Sequence, residues 1–292
     1  MLKVYLDKNV LSHIISVQRG AAETNGVTAG DVEALLKAVA EAKITILLSL
    51  MNLQEASYAL RAASPTVAED ELQLINSLMD TKQLINFPGD LLINDVISYA
   101  MGENPGSPFI PNTLDLEQLF SATEDIEERK RILDETDKHN ADFLAVTTDG
   151  KANDKAYALG EFDGKKPSFE DFYQKKIEER IVATVQRVED ETKSEGLLDA
   201  CKERGIGGMI KIKSIALAEG ASLSYQYARV FDEFSEKKKR RIGDASDLRH
   251  ALLASAADIL VTHDEDFAFW IGRIPNKQIE VLDHVHKLVE RL

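Results

Sequence analysis

Asp247-Leu248-Arg249-His250-Ala251, followed by Asp258-Ile259-Leu260-Val261-Thr262-His263-Asp264-Glu265-Asp266-Phe267, holds the pattern that decides the fold. Leu248, Ala251, Leu252 and Ser255 fall at helical spacing, so a helix is predicted to start at Asp247. Ile259 to Thr262 is a short apolar, β-branched run of the kind buried on both faces of a sheet. It stops at a polar tip carrying Asp264. A helix leading into a buried strand is one unit of a parallel α/β sheet.

Working outward, Lys277 to Leu282 offers a further strand, and similar units open the chain. Leu2 to Leu6 reads as a buried strand ending in Asp7-Lys8-Asn9, with helix following from about Val10. Asp31 to Ala42 has amphipathic spacing, and Ile44-Thr45-Ile46-Leu47-Leu48 reads as a second strand. Ser49 or Asn52 can cap the next helix, which carries Glu55 and is expected to end at Pro65. Another helix is predicted from Thr66 to Met79, then a third strand over Gln83 to Phe87 before Pro88-Gly89. This alternation predicts an α/β fold whose mostly parallel sheet is covered on both faces.

Gly102 to Pro111, with Pro105, Gly106 and Pro108, reads as a loop. From Leu114 to Glu236 the sequence is charged and helix-periodic, as at Ile177, Ile181, Val182 and Val185, with Gly160 to Pro167 a loop inside it. The resulting division is an α/β part over 1–100, a mainly helical insertion over 101–241, and a closing α/β part over 242–292.

The chain has 292 residues, 44% hydrophobic and 29% charged, which suits a folded protein with a sizeable core. Cys201 is the only cysteine, so no internal disulfide forms and a reducing compartment is expected. Charged residues within Met1 to Lys8 argue against a signal peptide, and no apolar run approaches the ~20 residues of a membrane helix. A soluble, cytoplasmic protein is the expectation. The net charge of −15 excludes coating of nucleic acid over the whole surface, so such contact must be local. The run Lys237, Lys238, Lys239, Arg240 and Arg241, just before Asp244, is the local candidate.

In a parallel α/β sheet, ligands bind beyond the carboxyl ends of the strands, where neighbouring connections part. Asp7 and Asp264 follow the first and fourth strands, Glu55 the second, and Asp247 starts the helix before the fourth. Clustered carboxylates repel one another unless a cation balances them, and oxygen-only ligands suit Mg²⁺ or Mn²⁺. Two such ions can activate water against a phosphodiester.

In order and spacing these blocks resemble the PIN domain, a family of metal-dependent nucleases that includes ribonuclease toxins. Val4-Tyr5-Leu6-Asp7-Lys8-Asn9 resembles its opening strand with Asp-x-Asn, Leu47-Leu48-Ser49 with Glu55 its second block, and Asp247-Leu248-Arg249-His250-Ala251 through Phe267 its closing block. The resemblance covers about residues 1 to 100 and 242 to 292. It implies a three-layer α/β/α fold with sheet order 3-2-1-4-5. Asp7, Glu55, Asp247 and Asp264 would be the metal-binding acids, with Asn9 and Thr262 as polar helpers. Its implied substrate is RNA rather than DNA; a protein inhibitor or antitoxin and a homodimer are compatible partners.

Simpler readings compete. Asp244 and Asp247 can each cap the helix beginning near Asp247; Asp247 is preferred as ligand and Asp244 as cap or auxiliary acid. Asp266 is read as an outer or surface acid, and His250 as a phosphate contact or a structural hydrogen bond. Asp142 to Asp149 superficially repeats the strand-Thr-Asp ending, but what precedes it is strongly charged and no convincing strand follows; Asp149-Gly150-Lys151 separately fails calcium-loop spacing. Gly205-x-Gly207-Gly208 follows no predicted strand and is rejected as a nucleotide cradle. The rival functions are a small-molecule phosphohydrolase and a non-catalytic PIN-fold module binding protein or RNA.

Overall fold

The computed structural model describes residues 1–49, 51–52, 65–112, 160–231, 243–275 and 277–292. Strand β1 (Leu2–Leu6) leads directly into α1 (Lys8–Gln18), which Asp7 caps. A short hairpin follows, β2 (Glu23–Thr24) and β3 (Val27–Thr28). Its turn residues Asn25 and Gly26 have φ of 47° and 76°, the paired positive angles of a two-residue hairpin turn. No strand was expected between α1 and the helix that follows, although Asn-Gly is the strongest local signal of such a hairpin. Thr28 then forms a capping box with Asp31, so α2 (Ala29–Ala40) starts earlier than its apolar spacing suggested.

The chain continues through β4 (Ile44–Ser49), α3 (Pro65–Leu78), β5 (Met79–Ile85) and α4 (Pro88–Met101). Phe109–Pro111 forms β6, antiparallel to β5, where a loop was expected. Prolines fit there because an edge strand leaves one row of backbone groups unpaired by the sheet. The helices α5 (Phe169–Thr192), α6 (Leu197–Arg204) and α7 (Lys213–Phe231) follow, and then α8 (Gly243–Leu253), β7 (Ile259–Val261), α9 (Glu265–Gly272), β8 (Glu280–Leu282) and α10 (Val285–Val289).

The main sheet has six strands in the order β6-β5-β4-β1-β7-β8, parallel throughout except for β6. Side chains alternate across it with the period of two that a pleated strand imposes. Val4, Leu6, Ile46, Leu48, Ile259 and Val261 bury into one cluster with α1, α2, α3 and α10. Tyr5, Leu47, Ile85 and Leu260 bury on the opposite face with α4 to α9. The result is three layers, helices on both sides of a mostly parallel sheet.

Residues 160–231 belong to the second of these cores. Ile177, Ile181, Val185 and Val188 of α5 pack against α7, whose Ile215, Leu217 and Leu223 share the cluster with Tyr5 and Leu260. Gly220 lets α7 approach the loop after α9, since a Cβ there would come within 2.5 Å of the Ile274 side chain. Among the described residues, no helix is long and apolar enough to cross a membrane.

Candidate active site at the sheet's carboxyl end

β1 and β7 are neighbours, with Leu6 in register with Val261. From β1 the chain goes on to β4 on one side; from β7 it goes on to β8 on the other. Their following loops therefore part and leave a crevice, the usual ligand position in such a sheet. Asp7 stands at this point and is only 4% exposed. Its backbone N–H donates to the Val261 carbonyl at 3.0 Å, and its Oδ1 accepts from the Lys8 N–H at 2.7 Å.

Thr262 joins the two loops. Its hydroxyl, fully buried, donates to Asp7 Oδ2 at 2.8 Å and accepts from the Asp264 N–H at 3.1 Å. Asp264 in turn caps α9, with Oδ1 accepting from the Asp266 and Phe267 N–H groups at 2.9 and 3.0 Å. One carboxylate oxygen thus holds the helix start. Its Oδ2 takes no part in that cap.

A buried polar chain lies beneath Asp7. His250, 2% exposed, has Nε2 4.0 Å from Asp7 Oδ1 and Nδ1 2.6 Å from the Tyr5 hydroxyl. Tyr5 reaches Ser49 Oγ at 3.3 Å, Ser49 donates to Asn52 Oδ1 at 2.7 Å, and Asn52 Nδ2 donates to the Leu6 carbonyl at 3.2 Å. One consistent set of donors runs along this chain from His250 Nδ1–H to the Leu6 carbonyl, and its result is to brace the end of β1. Ser49 also accepts from the Asn52 N–H, so both residues weighed as caps act together.

Two histidines form a wall nearby. His13 of α1 and His263 after β7 meet Nδ1 to Nδ1 at 2.6 Å with rings stacked at 4.9 Å, and His284 lies 5.5 Å from His263. Burial, together with the neighbouring His13 and His284 and against the opposing charge of Asp283, pushes the His263 pKa down to about 4. Burial likewise lowers His13, opposed by the negative charge of Asp7. Both imidazoles are therefore neutral at pH 7. Sequence reasoning missed this pair, as it missed Tyr5; the only local signal was His263 lying between Thr262 and Asp264.

The remaining candidates are more dispersed. The helix expected to start near Asp247 begins at Gly243, which puts Asp244 in its first turn and Asp247, half-buried, in its second. Asp247 therefore does not precede the helix, which corrects the capping role weighed for it. Asn9 is exposed in the first turn of α1, and Asp266 is half-buried behind the Asp264 cap. Glu55, the basic run Lys237 to Arg241 and the segment Asp142 to Asp149 lie outside the described residues.

Among the described residues, no three His, Cys, Asp or Glu side chains gather as a metal-binding group. The donors at the crevice are nevertheless oxygens, from Asp7 and Asp264. That chemistry fits Mg²⁺ or Mn²⁺, because Mg²⁺ is commonly held by one or two carboxylates together with water and substrate phosphate. Comparison with protein-family profiles, with curated proteins and with solved structures finds no match to this chain.

Proposed function

We propose that the chain is a PIN-like, divalent-metal-dependent endoribonuclease that hydrolyses phosphodiester bonds at the crevice between β1 and β7. The observation that carries this reading is the Thr262 hydroxyl holding Asp7 and Asp264 together at the point where the sheet's connections part. The strand order also supports it: numbered by appearance, the parallel strands β5-β4-β1-β7-β8 run 3-2-1-4-5.

In this reading Asp7 and Asp264 are the first metal ligands, with Glu55 and Asp247 completing the set. Bound Mg²⁺ or Mn²⁺ would lower the pKa of water and stabilise charge on the phosphate. The chain's own residues supply order. Thr262 fixes the spacing of the two loops, the chain from His250 through Tyr5 braces the end of β1 beneath Asp7, and Asn9 lies at the solvent side. Lys237 to Arg241 would contact the phosphate backbone, in a chain whose overall charge of −15 otherwise repels it.

A second reading, a non-catalytic RNA- or protein-binding module, is favoured by the lack of a three-ligand group among the described residues. Cleavage of labelled RNA and single-stranded DNA in Mn²⁺, Mg²⁺ or EDTA separates the two. Metal-dependent cutting lost in Asp7→Asn is the expected result. Folded wild-type protein that cuts neither polymer under any metal would replace the nuclease with the binding module.

A further inference from the structure

Tyr5 is fully buried, and its ring belongs to the apolar core shared with α4 to α9. Its hydroxyl is a polar point inside that core, 2.6 Å from His250 Nδ1 and 3.3 Å from Ser49 Oγ. A phenylalanine would fill the same space with no polar atom to satisfy, and a hydroxyl taken out of water costs stability unless it is bonded. What the hydroxyl adds is a fixed distance. Apolar packing tolerates small sliding of one element over another, whereas a hydrogen bond weakens steeply with distance and angle.

The groups that meet at this oxygen belong to the elements that carry acids of the proposed site. Tyr5 and Asp7 are two residues apart at the end of β1. His250 follows Asp247 by three residues on α8, so the two are neighbours on one face of that helix. Holding His250 therefore sets where Asp247 stands. The other side of the hydroxyl is anchored as well. Ser49 ends β4 and donates to Asn52, and Asn52 Nδ2 donates at 3.2 Å to the Leu6 carbonyl, the peptide directly before Asp7. On the far side of β1 the Thr262 hydroxyl couples Asp7 to the loop of Asp264. The Tyr5 hydroxyl is its counterpart, tying β1 to α8 and to the end of β4.

We infer that Tyr5 is a positioning residue for metal binding, its hydroxyl locking α8 against the end of β1 so that Asp247 and Asp7 keep one separation. The inference rests on the nuclease reading for its choice of these acids. The phenol touches neither cation nor RNA; it acts through His250.

The test is Mn²⁺ binding by full-length protein without RNA, followed by the electron paramagnetic resonance signal of the free ion, so that the readout is not activity. Tyr5→Phe keeps the ring and removes one oxygen, and should weaken Mn²⁺ binding about 10-fold. Arg180→Met, which disturbs the partner of Glu219 between α5 and α7, is the control for mere destabilisation and should bind Mn²⁺ as wild type does. The double variant Tyr5→Phe/His250→Leu should bind no more weakly than His250→Leu alone, because the phenol acts through the imidazole. Affinity of Tyr5→Phe within about twofold of wild type would overturn the positioning role. An equal loss in Arg180→Met would overturn it too, by tracing the effect to stability. In either case RNA cleavage by the wild type leaves the nuclease standing. Tyr5-dependent Mn²⁺ binding by a protein that cuts no RNA would support the positioning role and remove the nuclease, and wild-type protein that takes up no Mn²⁺ would overturn both.

Discussion

Two carboxylates in this molecule are almost equally buried, Asp7 at 4% and Glu219 at 3%, and their surroundings differ in kind. Glu219 lies between α5 and α7, where Arg180 Nε meets one oxygen at 3.0 Å and Thr184 donates to the other at 2.5 Å. Arg180 also donates to Ser222 at 2.9 Å, so a full cation and two hydroxyls close that cluster on itself. Asp7 instead accepts from a backbone N–H and from Thr262, with an imidazole at 4.0 Å, at a place where two loops diverge. Burial alone therefore does not mark a functional acid. What separates the two is the opposing charge built into the helix pair and the crevice above the sheet.

The largest expected effect comes from Asp7→Asn, which keeps the shape and the Thr262 contact but removes the charge. Metal-dependent RNA cleavage should fall on the order of 10³-fold, measured as initial rate, with the protein still folded. An equally active Asp7→Asn would place Asp7 in the same structural class as Glu219. Next is Arg180→Met, which strands Glu219 without its cation. It should cost about 2–3 kcal/mol in denaturant unfolding, less than a fully buried pair because Arg180 is 41% exposed. Cleavage per folded molecule should not change; a matching loss of activity would erase the contrast.

Thr262→Val sharpens the comparison further, since it deletes only the hydroxyl between Asp7 and Asp264. Outer groups of this kind typically contribute about 10- to 100-fold to metal affinity, so the Mn²⁺ concentration needed for half-maximal cleavage should rise accordingly.

The smallest effect concerns a third carboxylate, Asp31. Burial raises its pKa, but hydrogen bonds from His286 and Thr28 outweigh this and hold it below its ordinary 3.8. His286 is raised above 6.5, first by its hydrogen bond to Asp31. A raised histidine stabilises fully below 6.5 and loses that contribution as pH rises through its folded pKa. A lowered carboxyl stabilises above 3.8 and loses it as pH falls. The stability difference between wild type and His286→Ala should therefore be greatest between pH 3.8 and 6.5 and shrink on the alkaline side, followed by thermal unfolding across that range. A difference that grows above pH 6.5 would break this account.

Legibility in the sequence followed the range of the interaction. The strands over Leu2–Leu6, Ile44–Ser49 and Ile259–Val261 were readable because each is a short apolar run stopped by polar residues. Asp7 and Asp264 were readable as strand-end acids for the same local reason. Phe109–Pro111 was not, because Pro108 before it and Pro111 at its end conceal a strand that exists only through pairing with β5. The start of α8 was misplaced by four residues because Gly243 carries no apolar stripe.

What the sequence determined by itself was the alternation of strands and helices and the placing of acids at strand ends. All of these depend on neighbours within a few residues. Tertiary structure alone decided that Thr262 meets Asp7, that His13 meets His263, and that His250 meets Tyr5, pairs separated by 255, 250 and 245 residues. These meetings depend on the register of β7 beside β1. A shift of one residue would turn every side chain of the strand to the opposite face, and no local pattern within either strand specifies which register the two together will take.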